Sequence, residues 1–157
     1  FPEGGLSFRT NLTGETIMRR LFIALCAVFT FSQAQADETL SAADSSAIQT
    51  VIEDQLDAFN RDDGDRAFSH ASPMIQGIFQ TVDVFMGMVR DGYPPVYRSA
   101  QTEFGALHMM NGEPVQEVYV TGQDGISVLA VYSMEQQEDG SWRINGCTIL
   151  PAPDLTA

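Results

Sequence analysis

The stretch Phe85–Arg98, FMGMVRDGYPPVYR, separates a helix-patterned half of the chain from a strand-patterned half. Its apolar residues keep helical spacing as far as Val89, and Asp91-Gly92 then indicates a break. Pro94-Pro95 comes next, and each proline fixes φ and lacks the N–H that a continuing helix needs. We therefore predict that a helix ends near Val89, that no helix resumes after the prolines, and that extended chain begins at Val96.

Helical periodicity precedes this stretch. Apolar residues in the segment 48–59 recur with the period of an amphipathic helix, which we expect to end near Asn60. An aspartate of the segment 62–63 can cap a short second helix, and Ser72-Pro73 has the order of an N-cap followed by a first-turn proline. The spacing after it stays helical but is weakened by glycines, which predicts two short helices that meet near Gln80.

Strand-like patterns follow the stretch, in the segments 96–104, 105–110, 115–121, 126–136 and 142–150. Between the second and the third of them, Asn111-Gly112 is typical of a two-residue hairpin turn. Helices grouped before strands predict an α+β fold, with N-terminal helices packed on a curved antiparallel sheet of about four strands. Both faces of the sheet are partly apolar. One face must pack on the helices, and we expect the other to carry a pocket or a dimer contact.

The N-terminal residues have the features of a secretory signal peptide. Met18 is followed by two arginines, by an apolar run over residues 21–31 and by the small-residue sequence Ala34-Gln35-Ala36. The apolar run is about half the ~20 residues that a membrane-spanning helix needs. We interpret residues 18–36 as the signal peptide and residues 37–157 as one domain, exported to a bacterial periplasm and not held in the membrane after cleavage.

Residues 1–17 lie upstream of that signal. We interpret them as translation from ahead of the true start at Met18, with no structural role; a genuine extended leader is the alternative.

The charge of residues 37–157 narrows the choice of partners. This part of the chain has five arginines, no lysine and nineteen acidic residues, a formal charge of −14. Such a surface repels phosphate backbones, so we predict no nucleic-acid partner. Cys147 is the one cysteine of this part, so an internal disulfide is excluded, and we expect its side chain to be a small buried group within a strand.

Five stretches carry a resemblance to a known family: Gln55–Asp63 (QLDAFNRDD), Ala67–Pro73 (AFSHASP), Phe85–Val89 (FMGMV), Tyr93–Arg98 (YPPVYR) and Asp139–Cys147 (DGSWRINGC). Together they resemble an uncharacterised family of exported bacterial proteins, the domain-of-unknown-function family 4864. The order of helices and a long bent sheet also resembles the cone-shaped NTF2-like fold of the cystatin-like group. The family resemblance implies a fold and transfers no catalytic residues.

No motif of the chain defines a metal or cofactor site. His70 and His108 are the only histidines, and their spacing is not that of zinc ligands. A nucleophile elbow, a P-loop and a dinucleotide-binding glycine pattern are absent from the sequence. We therefore predict no metal and no cofactor.

The NTF2-like resemblance points to one set of candidate site residues. Ketosteroid isomerases, which have this fold, place an acid and a tyrosine in an apolar cone, where low dielectric raises the pKa of the acid and strengthens hydrogen bonds to an oxyanion. By that resemblance the candidate pocket residues are Tyr93, Tyr97, Glu103, His108 and Tyr119, with Asp57 of the first helix as a further acid.

Three functions remain open from the sequence. The first is a non-catalytic domain that binds a small apolar ligand or a protein partner. The second is an enzyme of the isomerase or dehydratase type that uses the tyrosine, glutamate and histidine set. It requires at least two of the side chains Tyr97, Glu103, His108 and Tyr119 to point into one enclosed pocket. The third is a dimeric scaffold whose exposed sheet face is the interface between two copies.

Overall fold

The computed structural model describes residues 40–153; the interpretations of residues 1–17 and 18–36 lie outside this range. The described elements, in chain order, are the helices α1 (Ala42–Asn60), α2 (Gly64–Ser69), α3 (Pro73–Phe79), α4 (Val82–Gly92) and α5 (Pro94–Tyr97) and the strands β1 (Ser99–Met110), β2 (Glu113–Gly122), β3 (Ser127–Gln136) and β4 (Trp142–Pro151).

The four strands form one antiparallel sheet in the order β1-β2-β3-β4. Helices followed by an open antiparallel sheet are an α+β arrangement, so the predicted fold class is confirmed. The β1–β2 connection is the predicted hairpin. Asn111 and Gly112, between the paired residues Met110 and Glu113, have φ of 53° and 84°, and a two-residue hairpin turn favours positive φ at both central positions.

The junction between helices and sheet differs from its prediction. Helix α4 continues beyond Val89 to Gly92, and a one-turn helix, α5, resumes at Pro94. The two prolines occupy the first positions of α5, where a backbone N–H would have no partner within the helix. Helix α5 ends as the backbone N–H of Arg98 donates to the carbonyl oxygen of Pro94 (3.1 Å), and extended chain begins at Ser99, not at Val96.

Two short helices meet at Gln80, as predicted. Ser72 caps α3 and Thr81 caps α4, each through its side-chain oxygen. Gln80 lies between them with φ 63° and ψ −37°, and the N–H of Thr81 donates to the carbonyl oxygen of Phe79 (2.7 Å). This is a γ-turn of the rare form with positive φ, which strains any residue other than glycine.

The segment between α2 and α3 lies along the free edge of β4. Ala71 forms a parallel bridge with Ile144, whose N–H donates to the carbonyl oxygen of His70 (2.8 Å). The N–H of Ser72 in turn donates to the carbonyl oxygen of Ile144 (2.8 Å). These bonds cover an edge that would otherwise expose unpaired backbone groups, and they fix the start of α3 beside the sheet.

Alternate residues of each strand give the sheet two unlike faces. The inner face packs on the helices, and its residues on β2 and β3 are almost fully buried: Gln116, Val118, Val120, Ala130, Tyr132 and Met134. Opposite them, α1 contributes Ile48, Ile52 and Phe59 to the same core. The outer face carries the intervening residues, which are half-buried or exposed apart from Val115, which is 5% exposed.

Within residues 40–153, no helix combines the length and the apolar character that crossing a membrane requires.

Candidate functional site

A cavity of about 210 Å³ lies between the helices and the inner face of the sheet and is partly open to solvent. Helices α1, α3, α4 and α5 form one side of its wall, and strands β3 and β4 form the other. Among the described residues that line it, none is an arginine, lysine, histidine, aspartate or glutamate. The cavity is therefore an apolar space with no formal charge in its wall.

Aromatic rings build much of the helical side. The ring of Phe85 lies 6.0 Å from the ring of Phe59 and 5.7 Å from that of Phe79, which it meets edge-on. Phe68 packs behind Phe85 at 5.0 Å. Tilted and edge-to-face contacts of this kind stabilise aromatic clusters beyond the area that they bury. The cluster holds α1, α3 and α4 together and gives the cavity a firm apolar wall.

Four side chains bring polar atoms to the cavity wall. The hydroxyl of Tyr93 donates to the carbonyl oxygen of Cys147 (3.0 Å), and Nε2 of Gln55 donates to the carbonyl oxygen of Ala67 (3.0 Å). The hydroxyl of Tyr132 is fully buried and has no hydrogen-bond partner among the described residues. The thiol of Cys147 lies beside that hydroxyl, so two polar side chains neighbour each other on the sheet side of the wall.

Desolvation keeps the thiol of the half-buried Cys147 and the hydroxyl of the fully buried Tyr132 uncharged at neutral pH. Loss of solvent raises the pKa of the Cys147 thiol to about 12, because the neighbouring Tyr132 hydroxyl offsets only part of the desolvation. Burial likewise raises the pKa of Tyr132 well above its ordinary value, and raises that of Tyr93. Cys147 is thus a protonated thiol at neutral pH and a poor nucleophile, since the thiolate is the reactive form.

The five candidate residues that were predicted from the sequence do not lie together in the structure. Tyr93 alone of them lines the cavity. Glu103 and Tyr119 are paired across β1 and β2, and both lie on the outer face, where Glu103 is exposed. His108 pairs with Val115 on the same face. The enclosed pocket that the isomerase hypothesis requires is therefore not formed by this set.

Tyr97 belongs to a polar cluster that joins the end of α1 to α5. Its hydroxyl donates to Asp62, which also accepts from Arg98, and these hydrogen bonds lower the pKa of Asp62. The guanidinium group of Arg98 lies 4.6 Å from the centre of the Tyr97 ring, a cation–π contact. Arg98 also donates to the carbonyl oxygen of Asn60 (2.6 Å). The contacts of Tyr97 are those of a structural residue.

A second polar cluster joins α1 to α2. Both oxygens of Asp54 accept from Arg66, one of them from Nε at 2.9 Å, and Nε2 of His70 lies 2.5 Å from the same carboxylate. The hydrogen bond from Arg66, followed by that from His70, holds the pKa of Asp54 below its usual value. Asp57 forms an ion pair with Arg61 (3.0 Å), and it does not line the cavity. His70 thus contacts the Asp54 carboxylate through its ring.

Three of the four polar side chains in the cavity wall, those of Gln55, Tyr132 and Cys147, were not among the site residues predicted from the sequence. Gln55 interrupts the apolar stripe of α1, and a polar residue at such a position was a readable signal. Tyr132 and Cys147 look like ordinary strand residues, because alternation shows which face they share but not that a cavity adjoins them.

Other features of the described range offer less for a ligand or an ion. Among residues 40–153, no three His, Cys, Asp or Glu side chains are grouped as a metal ion would require. A more open groove of about 440 Å³ includes Asp44, Glu113 and Glu135 in its wall, so it is acidic. The predicted dimer contact on the outer face stays a prediction.

The fold and the cavity define an α+β domain with an uncharged apolar cavity between helices and sheet. The chain belongs to the family described as Domain of unknown function (DUF4864), whose family model matches residues 41–157. This confirms the family resemblance seen in the five sequence stretches. A search of curated proteins and a search of solved structures each returned no match.

The five stretches that carry the family resemblance meet at the cavity. Of the fourteen residues that line it, eleven come from these stretches, and the exceptions are Ile75, Phe79 and Tyr132. Stretches that are far apart in the chain therefore share one spatial role, which is to build the cavity wall.

Proposed function

We propose that this domain binds a small, neutral, apolar molecule in the cavity between its helices and its sheet. The observation that carries the proposal is the combination of an apolar cavity, partly open to solvent, with a wall in which the described residues contribute no charged side chain. Pockets of this kind, with a few polar groups in an otherwise apolar wall, are typical ligand sites.

The volume limits the size of the ligand. An apolar cavity of about 150 Å³ accepts benzene, so the cavity of about 210 Å³ in this domain suits a substituted ring or a short branched chain. The site is smaller than the roughly 300 to 1,000 Å³ of pockets for drug-sized ligands. A steroid-sized or lipid-sized molecule is therefore not the expected occupant unless the helices move apart.

The wall also limits the charge of the ligand. An anion or a cation would lose its hydration on entry and would meet no opposite charge in exchange. Because Cys147 and Tyr132 stay protonated at neutral pH, the wall offers dipoles only. The proposal assigns no catalysis to Glu103, His108 and Tyr119, which support the isomerase alternative only if they share a pocket.

The proposal extends to the place where the protein works. The basic, apolar and small-residue order of residues 18–36 favours export, and we expect binding to take place in the periplasm. A cell fractionation with an antibody against the chain tests this part, because a cytoplasmic signal at full length would contradict it.

Filling the cavity tests the proposed function. Titration calorimetry of the purified chain with α-methylstyrene should show saturable binding, and Ala71→Leu should abolish it, because Ala71 is buried in the cavity wall. Ala106→Leu is the matched control, since it adds the same atoms at an exposed position of β1 and should leave binding unchanged. Val89→Phe is a second filling variant in case Ala71→Leu unfolds.

Two outcomes would count against the function. One is that α-methylstyrene and other ring-sized apolar molecules fail to bind the folded protein. The other is that binding survives both filling variants while each keeps a cooperative unfolding transition, because the ligand would then lie elsewhere.

A further inference from the structure

Among the described residues of the cavity wall, Tyr132 has a buried hydroxyl without a hydrogen-bond partner. Tyr132 is 1% exposed, it lines the cavity, and its hydroxyl has no hydrogen-bond partner among the described residues. Buried hydroxyls in folded proteins are nearly always bonded, because desolvation without a partner is costly. Such a group beside a cavity indicates a partner that enters the cavity.

The neighbours of this hydroxyl are already engaged or are weak partners. The hydroxyl of Tyr93 donates to the carbonyl oxygen of Cys147 (3.0 Å), and Nε2 of Gln55 donates to Ala67. The Cys147 thiol lies beside Tyr132, and each side chain affects the pKa of the other, but the geometry between them is not that of a hydrogen bond. A thiol is in any case a weak donor and a weak acceptor. The O–H of Tyr132 thus remains free to donate to an incoming oxygen.

We propose, on the basis of the function proposed above, that the ligand carries one hydrogen-bond acceptor oxygen at its buried end and that Tyr132 donates to it. The ligand class is a small neutral carbonyl or ether compound with an apolar ring or chain. A carboxylate does not fit, because the cavity wall has no cation to balance its charge.

Probes of similar size distinguish the contribution of the hydrogen bond to ligand affinity from the contribution of apolar contacts. Acetophenone has an acceptor carbonyl, α-methylstyrene has the same shape without the oxygen, and benzoate carries a charge. Dissociation constants for all three are measured by calorimetry on the purified wild-type chain and on Tyr132→Phe. The phenylalanine keeps the ring in the wall and removes only the unpartnered hydroxyl.

The expected result is a change in one ligand only. Tyr132→Phe should raise the dissociation constant for acetophenone about tenfold, because a hydrogen bond made in a buried site is lost. It should leave the affinity for α-methylstyrene within about twofold, and benzoate should bind neither protein detectably. Tyr119→Phe, which makes the same change on the outer face, should alter none of these values.

The outcomes separate this inference from the function on which it rests. If α-methylstyrene binds and is blocked by Ala71→Leu, but acetophenone binds equally to wild type and Tyr132→Phe, the function stands and the role of Tyr132 is wrong. An ordered water on Tyr132 that persists in the acetophenone complex would also overturn the inference. If neither probe binds wild type, both the function and the inference fail.

Discussion

The two faces of the sheet come from the same strands but have opposite chemistry. The outer face holds the residue types that sequence reasoning associates with catalysis, Glu103, His108 and Tyr119, and it exposes or half-exposes them. The inner face holds only Tyr132 and Cys147 as reactive types beside the cavity, and it keeps both uncharged. Burial beside the cavity, and not residue type, therefore determines which of these side chains can take part in the proposed ligand site.

Enclosure acts through water. A carboxylate on the outer face stays hydrated and keeps ordinary chemistry, whereas a hydroxyl on the inner face must find a partner in the protein or in the cavity. A single unpartnered hydroxyl on the inner face is therefore more informative about function than the three polar side chains on the outer face.

Truncation of a large side chain on each side of the sheet gives the largest expected difference. Phe59→Ala should lower the free energy of unfolding by roughly 3 to 5 kcal/mol, because Phe59 is 2% exposed and packs on Phe85. Leu150→Ala on the outer face, where Leu150 is 44% exposed, should change it by less than about 1 kcal/mol. Urea denaturation measures both, and equal losses would contradict the assignment of the two faces.

Tyr132 on the inner face and Tyr119 on the outer face allow the two faces to be compared by removing a single hydroxyl from each. Tyr132→Phe should raise the free energy of unfolding of the ligand-free protein by about 1 kcal/mol, because it removes an unpartnered buried group. Tyr119→Phe should leave it within about 0.5 kcal/mol. The same denaturation experiment applies, and a loss of stability in Tyr132→Phe would show that its hydroxyl already has a partner in the free protein.

The strained turn at Gln80 tests the helical side of the cavity. Gln80→Gly should stabilise the protein by up to about 1 kcal/mol, because glycine adopts positive φ without strain. The strain that is relieved should exceed the extra backbone entropy that glycine loses on folding. Gln80→Ala is the control, since it shortens the side chain and keeps the strain, and it should give no gain. Thermal unfolding followed by circular dichroism distinguishes the two variants, and equal behaviour would argue against strain at this turn.

The smallest effect is expected at the ion pairs outside the cavity. Asp54→Asn should cost about 0.5 kcal/mol at neutral pH, because the pair with Arg66 is partly solvated. The pKa of Asp54 is lowered in the folded protein, so its contribution is complete above the unfolded value and is lost as the pH falls through the folded one. The difference from wild type should therefore shrink below about pH 4.

Ligand affinity provides the contrasting readout for this variant. Asp54→Asn should leave the affinity for α-methylstyrene unchanged, since Asp54 does not line the cavity. Unfolding curves at several pH values check the stability. A stability difference that grows on acidification would reverse the assigned sign and refute this account of the pair.

Much of the fold could be predicted from local rules. The Asn111-Gly112 turn, the Ser72-Pro73 cap and the grouping of helices before strands each have a short-range physical cause, and all three are confirmed. The error at Pro94-Pro95 has a physical cause too. Proline prevents a helix from continuing into it but can begin a new one, and the prediction used only the first property.

The cavity could not be predicted in the same way. It depends on how Phe59, Phe85 and Cys147 meet across long separations in the chain, and periodicity indicates only that each is on an inward face. Tyr93 became a candidate through the NTF2-like resemblance and not through periodicity, and it lines the cavity. The unpartnered state of Tyr132 appears only when the whole surroundings are known.

A crystal structure of the purified chain with acetophenone is the most direct test of the claim that the inner face is the functional face. We expect the ring of acetophenone to lie among the phenylalanines of the cavity and its oxygen to lie within hydrogen-bond distance of the Tyr132 hydroxyl. Acetophenone bound on the outer face near Tyr119, or a cavity closed by side chains with the ligand excluded, would contradict it.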